Sequence, residues 1–401
     1  MIVNEPFDPW DDSRRSDPHS MYHAMRAHSP VYRGIGPQTG RSFWFLTRYD
    51  DVISALRDPR LGREVDRLPD HVRAQHVFGG EEAFAMVNRH VLNMDPPDHT
   101  RLRRLVSTAF TNRRVRELEP RIVEITQRLL DEMASQEKPD LIRDLAAPVP
   151  IIVIAELLGI PIEDREWFRD VVDRNLRGTS EAEAMAAGME LMAYTSEAIE
   201  RRRTDPGEDL LSDLIHIEEA GDRLDHAELL SMVQLLLIAG HETTVNLIGN
   251  GMLELMSHPG QLSRLVSDLG LIDSAVEEML RFNGPVETPF PRFAYEDTDI
   301  DGTTIPCGDV VIPVLLAANR DPSHFPEPDH FDITRDPNKH VAFGFGIHYC
   351  LGAPLARSEA KIVISSLLTR FGGPTLAIDR ESLDWNPGFF LRGVRSLPVA
   401  L

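Results

Sequence analysis

The chain has 401 residues, 42% hydrophobic and 26% charged, a composition that excludes both a disordered polypeptide and one built mainly of membrane spans. Its formal charge of −22 excludes general affinity for nucleic acid or anionic lipid, since each needs a field of the opposite sign. The opening stretch MIVNEPFDPWDD has no basic segment followed by an apolar one, so neither a signal peptide nor an anchor is expected, and the protein is expected in the cytoplasm.

In chain order, VYRGIG and RSFWFLTRY alternate around the turn-forming GPQTG and predict a small N-terminal sheet. Residues 61–93 form the least periodic stretch and read as a long loop of the kind that shapes a pocket. Apolar residues then recur at helical spacing over 97–110, 114–133, 150–158, 164–176, 182–203, 225–257, 260–269 and 272–282. Beyond Pro285, short β-like runs such as DIDGTTIPCGDVVIPV precede a last helix over 353–370. No linker or repeat divides the chain, which predicts one mainly α domain over residues 1–401 with small peripheral β-sheets. Against the acidic background, Arg101, Arg103, Arg104, Arg113, Arg114 and Arg116 crowd into sixteen residues, either as a solvated helix face or as a basic patch.

The helix predicted over 225–257 is apolar enough to resemble a membrane span, but Gly240, His241, Glu242, Thr243, Thr244 and Asn246 put polar groups halfway along it. It is therefore expected to cross a protein core and carry chemistry there. His241 and Glu242 begin the zinc-protease pattern H-E-x-x-H, but Val245 stands where the second histidine belongs. A threonine that bonds back to a helical carbonyl gives a structural explanation for Thr243, yet none for Glu242, whose burial costs several kcal/mol unless it is paired or protonated.

FGFGIHYCLG, residues 343–352, holds three glycines, a histidine and Cys350. G-x-G here is not the dinucleotide fingerprint, because Tyr349 occupies the third glycine position, and no second cysteine stands at zinc spacing. A lone thiolate before a helix N-terminus suits an axial ligand to haem iron. The other cysteine, Cys307, reads as a small buried side chain, with no disulfide expected in a reducing compartment.

Phe343, Gly344, Gly346, His348, Cys350 and Gly352 match F-G-x-G-x-H-x-C-x-G, and the chain on this ground resembles the cytochrome P450 monooxygenases. Glu278 and Arg281 match the E-x-x-R helix of that family, and residues 239–244 resemble its oxygen-binding helix. The resemblance implies haem b between the long central helix and the cysteine loop, with Cys350 as the metal ligand, Phe343 and Gly344 packing against the macrocycle, and Gly346 and Gly352 allowing the backbone to approach near the sulfur. It implies His99, Arg103, Arg292 and His348 as partners of the haem propionates, Ala239 and Gly240 against the haem, and Glu242 and Thr243 as the acid and alcohol that manage protons. The family completes its E-x-x-R pair with an arginine from a P-x-R-F stretch; PDHF puts His330 there, which leaves a neutral third partner and a buried network that is weaker or differently wired expected.

The resemblance further implies a monomer that uses dioxygen, a ferredoxin and an NAD(P)H-dependent ferredoxin reductase, since no reductase segment is present. The substrate implied is an apolar small molecule similar to a macrolide or polyketide, with a steroid or terpenoid as the alternative. A peroxygenase and a haem-thiolate sensor or carrier are weaker readings, because the pairing of Glu242 with Thr243 argues for oxygen activation. Val87, Leu92, Leu235, Ala239, Val286, Phe290, Phe389 and Phe390 are expected pocket residues. An acidic ferredoxin would dock on the basic patch, with Arg103 turned inward and Arg101, Arg104, Arg113, Arg114, Arg116 and Lys361 outside.

Overall fold

The computed structural model describes residues 7–37, 40–73, 89–177, 181–219 and 222–401. Helix α1 (His19–His28) leads into strands β1 (Val31–Ile35) and β2 (Ser42–Leu46), then α2 (Tyr49–Arg57) and the short β3 (Leu61–Gly62). Beyond a single helical turn over Asp70–Arg73, nine longer helices follow among the described residues: α3 (Asp98–Ala109), α4 (Asn112–Ala134), α5 (Pro148–Leu157), α6 (Arg165–Arg177), α7 (Glu181–Thr204), α8 (Leu210–His216), α9 (His226–Ser257), α10 (Pro259–Ser267) and α11 (Ile272–Asn283). Strands β4 (Arg292–Ala294), β5 (Thr298–Ile300), β6 (Thr303–Ile305) and β7 (Val310–Pro313) precede the last helix, α12 (Ala353–Phe371).

The predicted N-terminal hairpin forms with Val31 opposite Leu46 and Ile35 opposite Ser42. It does not stand alone. β2 pairs in parallel with β7, and β4 joins antiparallel between β7 and β3, which gives the order β1-β2-β7-β4-β3. Chain segments more than 200 residues apart thus meet in one sheet, and Arg292, the first residue of β4, comes beside β3.

A continuous apolar core runs through the helices, and α9 passes through it with residues of every helix face buried, among them Met232, Val245, Ile248, Met252 and Leu255. Thirty-two residues at ~1.5 Å each span ~48 Å. The start of α9 is fixed by a capping box: Asp225 accepts from the Glu228 N–H at 2.8 Å, and the Glu228 carboxylate accepts from the Asp225 N–H at 3.0 Å. Among the described residues no helix is long and apolar enough to cross a membrane, so the apolar run of α9 serves the core. The stretch expected as a loop contains β3, a 3-10 turn over Val65–Arg67 and a short helix over Asp70–Arg73.

Candidate active site

The cysteine loop is built by hydrogen bonds that the glycines make possible. Gly344 and Gly346 take φ of +72° and +73°, where side chains are strained, and a Cβ on Gly346 would sit 3.0 Å from the Leu56 carbonyl oxygen. The Cys350 N–H donates to the Phe343 carbonyl at 2.9 Å, and the loop runs through Gly352 into the first turn of α12. Enclosure pushes the Cys350 thiol up, while the N–H groups of Gly352 and Ala353 and the guanidiniums of Arg103 and Arg357 favour the thiolate. Cys307 is half-buried rather than buried, and its Sγ donates to the Tyr295 carbonyl.

Beside this loop lies a buried cluster rich in donors and poor in acceptors. His99 is 2% exposed, and its ring centroid is 4.5 Å from that of His348. Both nitrogens of each ring, together with Arg292 Nε, are buried without a hydrogen-bond partner among the described residues. Burial, reinforced by Arg63, Arg292 and His99, pushes His348 down to about 2, and burial with Arg103 pushes His99 down to about 4. Arg292 holds the Leu61 and Leu56 carbonyls at 2.6 and 3.1 Å. A set of buried donors that lack acceptors fits a ligand carrying carboxylates, as haem does, with Cys350 close by to supply a soft axial ligand. Arg103 donates to the Tyr349 carbonyl at 2.7 Å, which ties it to the cysteine loop. His90 and Arg63, which the sequence reading missed, adjoin this cluster.

The centre of α9 opens where its sequence turns polar. Ile238 is 39% exposed and Ala239 is exposed, between buried Leu237 and His241, and Gly240 and Thr243 are half-buried. The Thr243 hydroxyl donates to the Ala239 carbonyl at 2.7 Å. Glu242 is buried, and Nδ2 of Asn246 and of Asn386 approach its Oε1 at 3.4 and 3.5 Å. His241 Nε2 meets the Ala147 carbonyl at 3.2 Å. α9 packs on α12, the helix that begins three residues after Cys350.

Glu278 and Arg281 are both 0% exposed and pair in two hydrogen bonds of 2.7 and 2.8 Å. The expected neutral third partner is corrected here: Arg335 Nε reaches Glu278 at 3.2 Å, whereas His330 contributes its carbonyl to Arg281 and Arg335. The cation reaches the carboxylate from DITRDP, because the chain folds back after Phe331, and Asn338 Nδ2 adds a bond of 3.1 Å. The sequence reading also missed Glu277, one residue earlier, which holds Arg357 at 2.6 Å and His340 at 3.0 Å. Arg357 lies over the Phe343 ring at 4.4 Å and so connects α11 to the cysteine loop.

Of the expected pocket residues, Phe290 and Phe390 are 38% and 36% exposed and meet edge to face at 5.0 Å. Leu92, Leu235 and Val286 are half-buried, and Val87 lies outside the described residues. Phe389 is a correction: it packs with Phe45 and Trp10 at 5.6 and 6.0 Å, in the aromatic cluster under the sheet. Arg101 is another, because the acidic N-terminus of α9 captures it; it pairs with Glu228 and Asp222 instead of facing outward. Arg113, Arg114 and Lys361 also pair, with Glu117, Asp213 and Asp273.

Comparisons with known proteins bear on this geometry. The cytochrome P450 family model matches residues 172–267 and 261–375. Cytochrome P450 monooxygenase PikC of Streptomyces venezuelae is 46% identical over 387 residues, 96% of this chain and 91% of that one. Vitamin D(3) 25-hydroxylase of Pseudonocardia autotrophica is 45% identical over 392 residues, 96% of this chain and 94% of that one. Among solved structures, the cytochrome P450 PksS of the Bacillus subtilis bacillaene polyketide synthase superposes with a TM-score of 0.91 at 40% identity, over 98% of this chain and 99% of that one. With a cysteine loop, a carboxylate-seeking cluster and an opened central helix set in such a fold, the chain belongs to the cytochrome P450 family of monooxygenases.

Proposed function

We propose that the chain is one haem-thiolate domain that binds haem b through Cys350 and inserts one atom of dioxygen into an apolar small molecule of macrolide or polyketide type. The observation that carries this reading is that the loop bearing Cys350 also bears His348, whose ring meets that of His99 beside Arg292 in a buried cluster of donors without partners among the described residues. Bound there, haem supplies the oxygen-activating redox chemistry that no side chain can. The chain's residues do the rest. The Gly352 and Ala353 N–H groups would favour negative charge on the metal-bound sulfur, and His99, His348 and Arg292 would receive the propionates. Ala239 and Gly240 leave the centre of α9 open, and Phe290 and Phe390 offer an apolar wall with few hydrogen-bonding demands on a substrate.

Glu242 and Thr243 are assigned to protons. The Thr243 hydroxyl, now bound to the Ala239 carbonyl, would turn to donate on the open side of α9, and the buried Glu242 would recharge it. Nδ2 of Asn246 and of Asn386 orient that side chain through its Oε1. Electrons would come from a ferredoxin and its NAD(P)H-dependent reductase, delivered to a cytoplasmic monomer. The name of the polyketide synthase enzyme supports the macrolide or polyketide class, and that of the vitamin D hydroxylase supports a steroid-like alternative.

A panel of macrolactones and steroids, screened by the spectral shift of the ferric protein and then turned over under ¹⁸O₂, tests the reading. One labelled oxygen in a macrolactone product is expected. Labelled steroid products alone would favour the alternative, and oxygen drawn from water would contradict a monooxygenase reaction.

A further inference from the structure

Arg63 has no part in the assignments above, yet it brings a charge to where nothing on the chain fully answers it. It follows β3 directly and is 8% exposed, and its Nε and Nη1 are buried without a hydrogen-bond partner among the described residues. The nearby carboxylate is Asp95, which accepts from the backbone N–H of Arg63 at 2.8 Å and from the Tyr295 hydroxyl. Around Arg63 stand His348, His99 and His90, each shifted down by burial and in part by this guanidinium. Burial and the charge of Arg292 push Arg63 itself down to about 9. Two buried arginines and three buried imidazoles thus gather where Asp95, with Asp58 toward Arg292, supplies the negative charge, and the Arg63 donors left without a partner in that setting call for a further anion.

We propose that Arg63 is a second guanidinium for the carboxylates of bound haem, and that it helps set both how tightly the cofactor is held and its reduction potential. The proposal rests on the haem reading above. Two propionates carry two negative charges; Arg292 would meet one, and Arg103, the other arginine expected from sequence, gives Nη2 to the Tyr349 carbonyl. Arg63 supplies the second charge through Nε or Nη1, two donors on different edges of its guanidinium that the described residues leave without an acceptor. Its guanidinium also lies 6.0 Å over the Phe290 ring, so the same chemistry could reach the carboxylate of a substrate in the pocket.

The test reconstitutes apo-protein with haem and, separately, with haem dimethyl ester, for wild type, Arg63→Gln, Arg63→Lys and Arg67→Gln. Haem transfer to an excess of apomyoglobin and the midpoint potential are measured. Arg63→Gln is expected to lose haem about tenfold faster, as removal of a charged hydrogen-bond partner implies. Its potential should fall, because a nearby cation stabilises the added electron. Arg63→Lys should recover part of both, and with the dimethyl ester, which has no carboxylate charge, the difference between wild type and Arg63→Gln should vanish.

Equal haem loss and potential in Arg63→Gln would overturn the proposal, as would a difference that persists with the ester. An equal effect from Arg67→Gln, which adjoins Asp95 at 3.9 Å and is half exposed, would assign the effect to Asp95 and also overturn it. So would an Arg63→Gln defect confined to the binding of carboxylated ligands. If Arg63→Gln yields no folded apo-protein, Arg63→Lys carries the comparison: a severalfold faster loss of haem, absent with the ester, is expected. A wild type without the red-shifted carbon monoxide band would instead be a failure of the haem reading itself.

Discussion

Thr243 and Glu277 show how little of a side chain's role lies in its type. A helical threonine usually bonds back to a carbonyl, and Thr243 does so to Ala239; what sets it apart is that the helix surface there is open while the helix around it is buried. Thr243→Ala should keep haem and substrate binding, while product formed per NAD(P)H falls about tenfold and hydrogen peroxide rises. Thr243→Ser should restore coupling, and unchanged coupling in Thr243→Ala would assign the protons to another group. For Glu277, burial pushes the carboxyl up, but Arg357 and His340 outweigh it and hold the group down to about 2 from its ordinary 4.5. A lowered folded-state value means that the carboxylate stabilises the fold fully above ~4.5 and that this contribution is lost as the pH falls toward 2. With the Glu277 side chain still 28% exposed, solvent screening leaves about 1–2 kcal/mol. Glu277→Gln should lower stability by that amount at pH 7 and flatten acid unfolding between pH ~4.5 and ~2, as read by urea titration across pH.

At the scale of elements, the network around α11 has the clearest mechanical purpose. The Arg281 guanidinium bonds the Asn319 and Pro328 carbonyls, and Glu278 takes the Asp332 N–H, so the irregular stretch before the cysteine loop is fastened to a buried ion pair. Arg335→Leu removes one partner of a carboxylate that is 0% exposed and should cost about 3 kcal/mol, whereas His330→Ala, which keeps the carbonyl, should cost under ~1 kcal/mol. Urea unfolding of the two variants compares them, and the reverse ranking would return the role to His330. This network also marks how far the sequence could be read. Glu278 and Arg281 are legible because i, i+3 spacing puts them on one helix face; Arg335 is not, because its reach depends on an irregular fold-back with no period to read. The long helices α3, α4, α7, α9 and α12 announce themselves by apolar spacing, but α1 and α2 escape, since ten and nine residues show too few turns for a face to emerge. Arg63 and His90 were missed for the reason that left 61–93 as a loop: their burial comes from tertiary packing, and nothing local encodes it.

Across the whole molecule, an acidic chain keeps a set of cations near the cysteine loop, and they are less free than the sequence implied. Arg101 is spent on the N-terminus of α9, and Arg113 and Arg114 have carboxylate partners, while Arg116, Ile347 and Tyr349 remain exposed. An acidic ferredoxin docking there should be steered by Arg104, Arg113 and Arg116 over the ~10 Å that 0.1 M salt permits. Reversal of Arg104 or Arg113 to Glu should slow electron transfer severalfold at low salt, with the difference shrinking as salt rises; wild-type rates at low salt would move the docking face elsewhere. Everything in this account turns on the sulfur at the head of α12. The most direct measurement is the carbon monoxide difference spectrum of the reduced protein for wild type, Cys350→Ala and Cys307→Ala. The account predicts the red-shifted Soret band of a thiolate-ligated haem in wild type and Cys307→Ala and its loss in Cys350→Ala; a band that survives in Cys350→Ala, or disappears in Cys307→Ala, would contradict it.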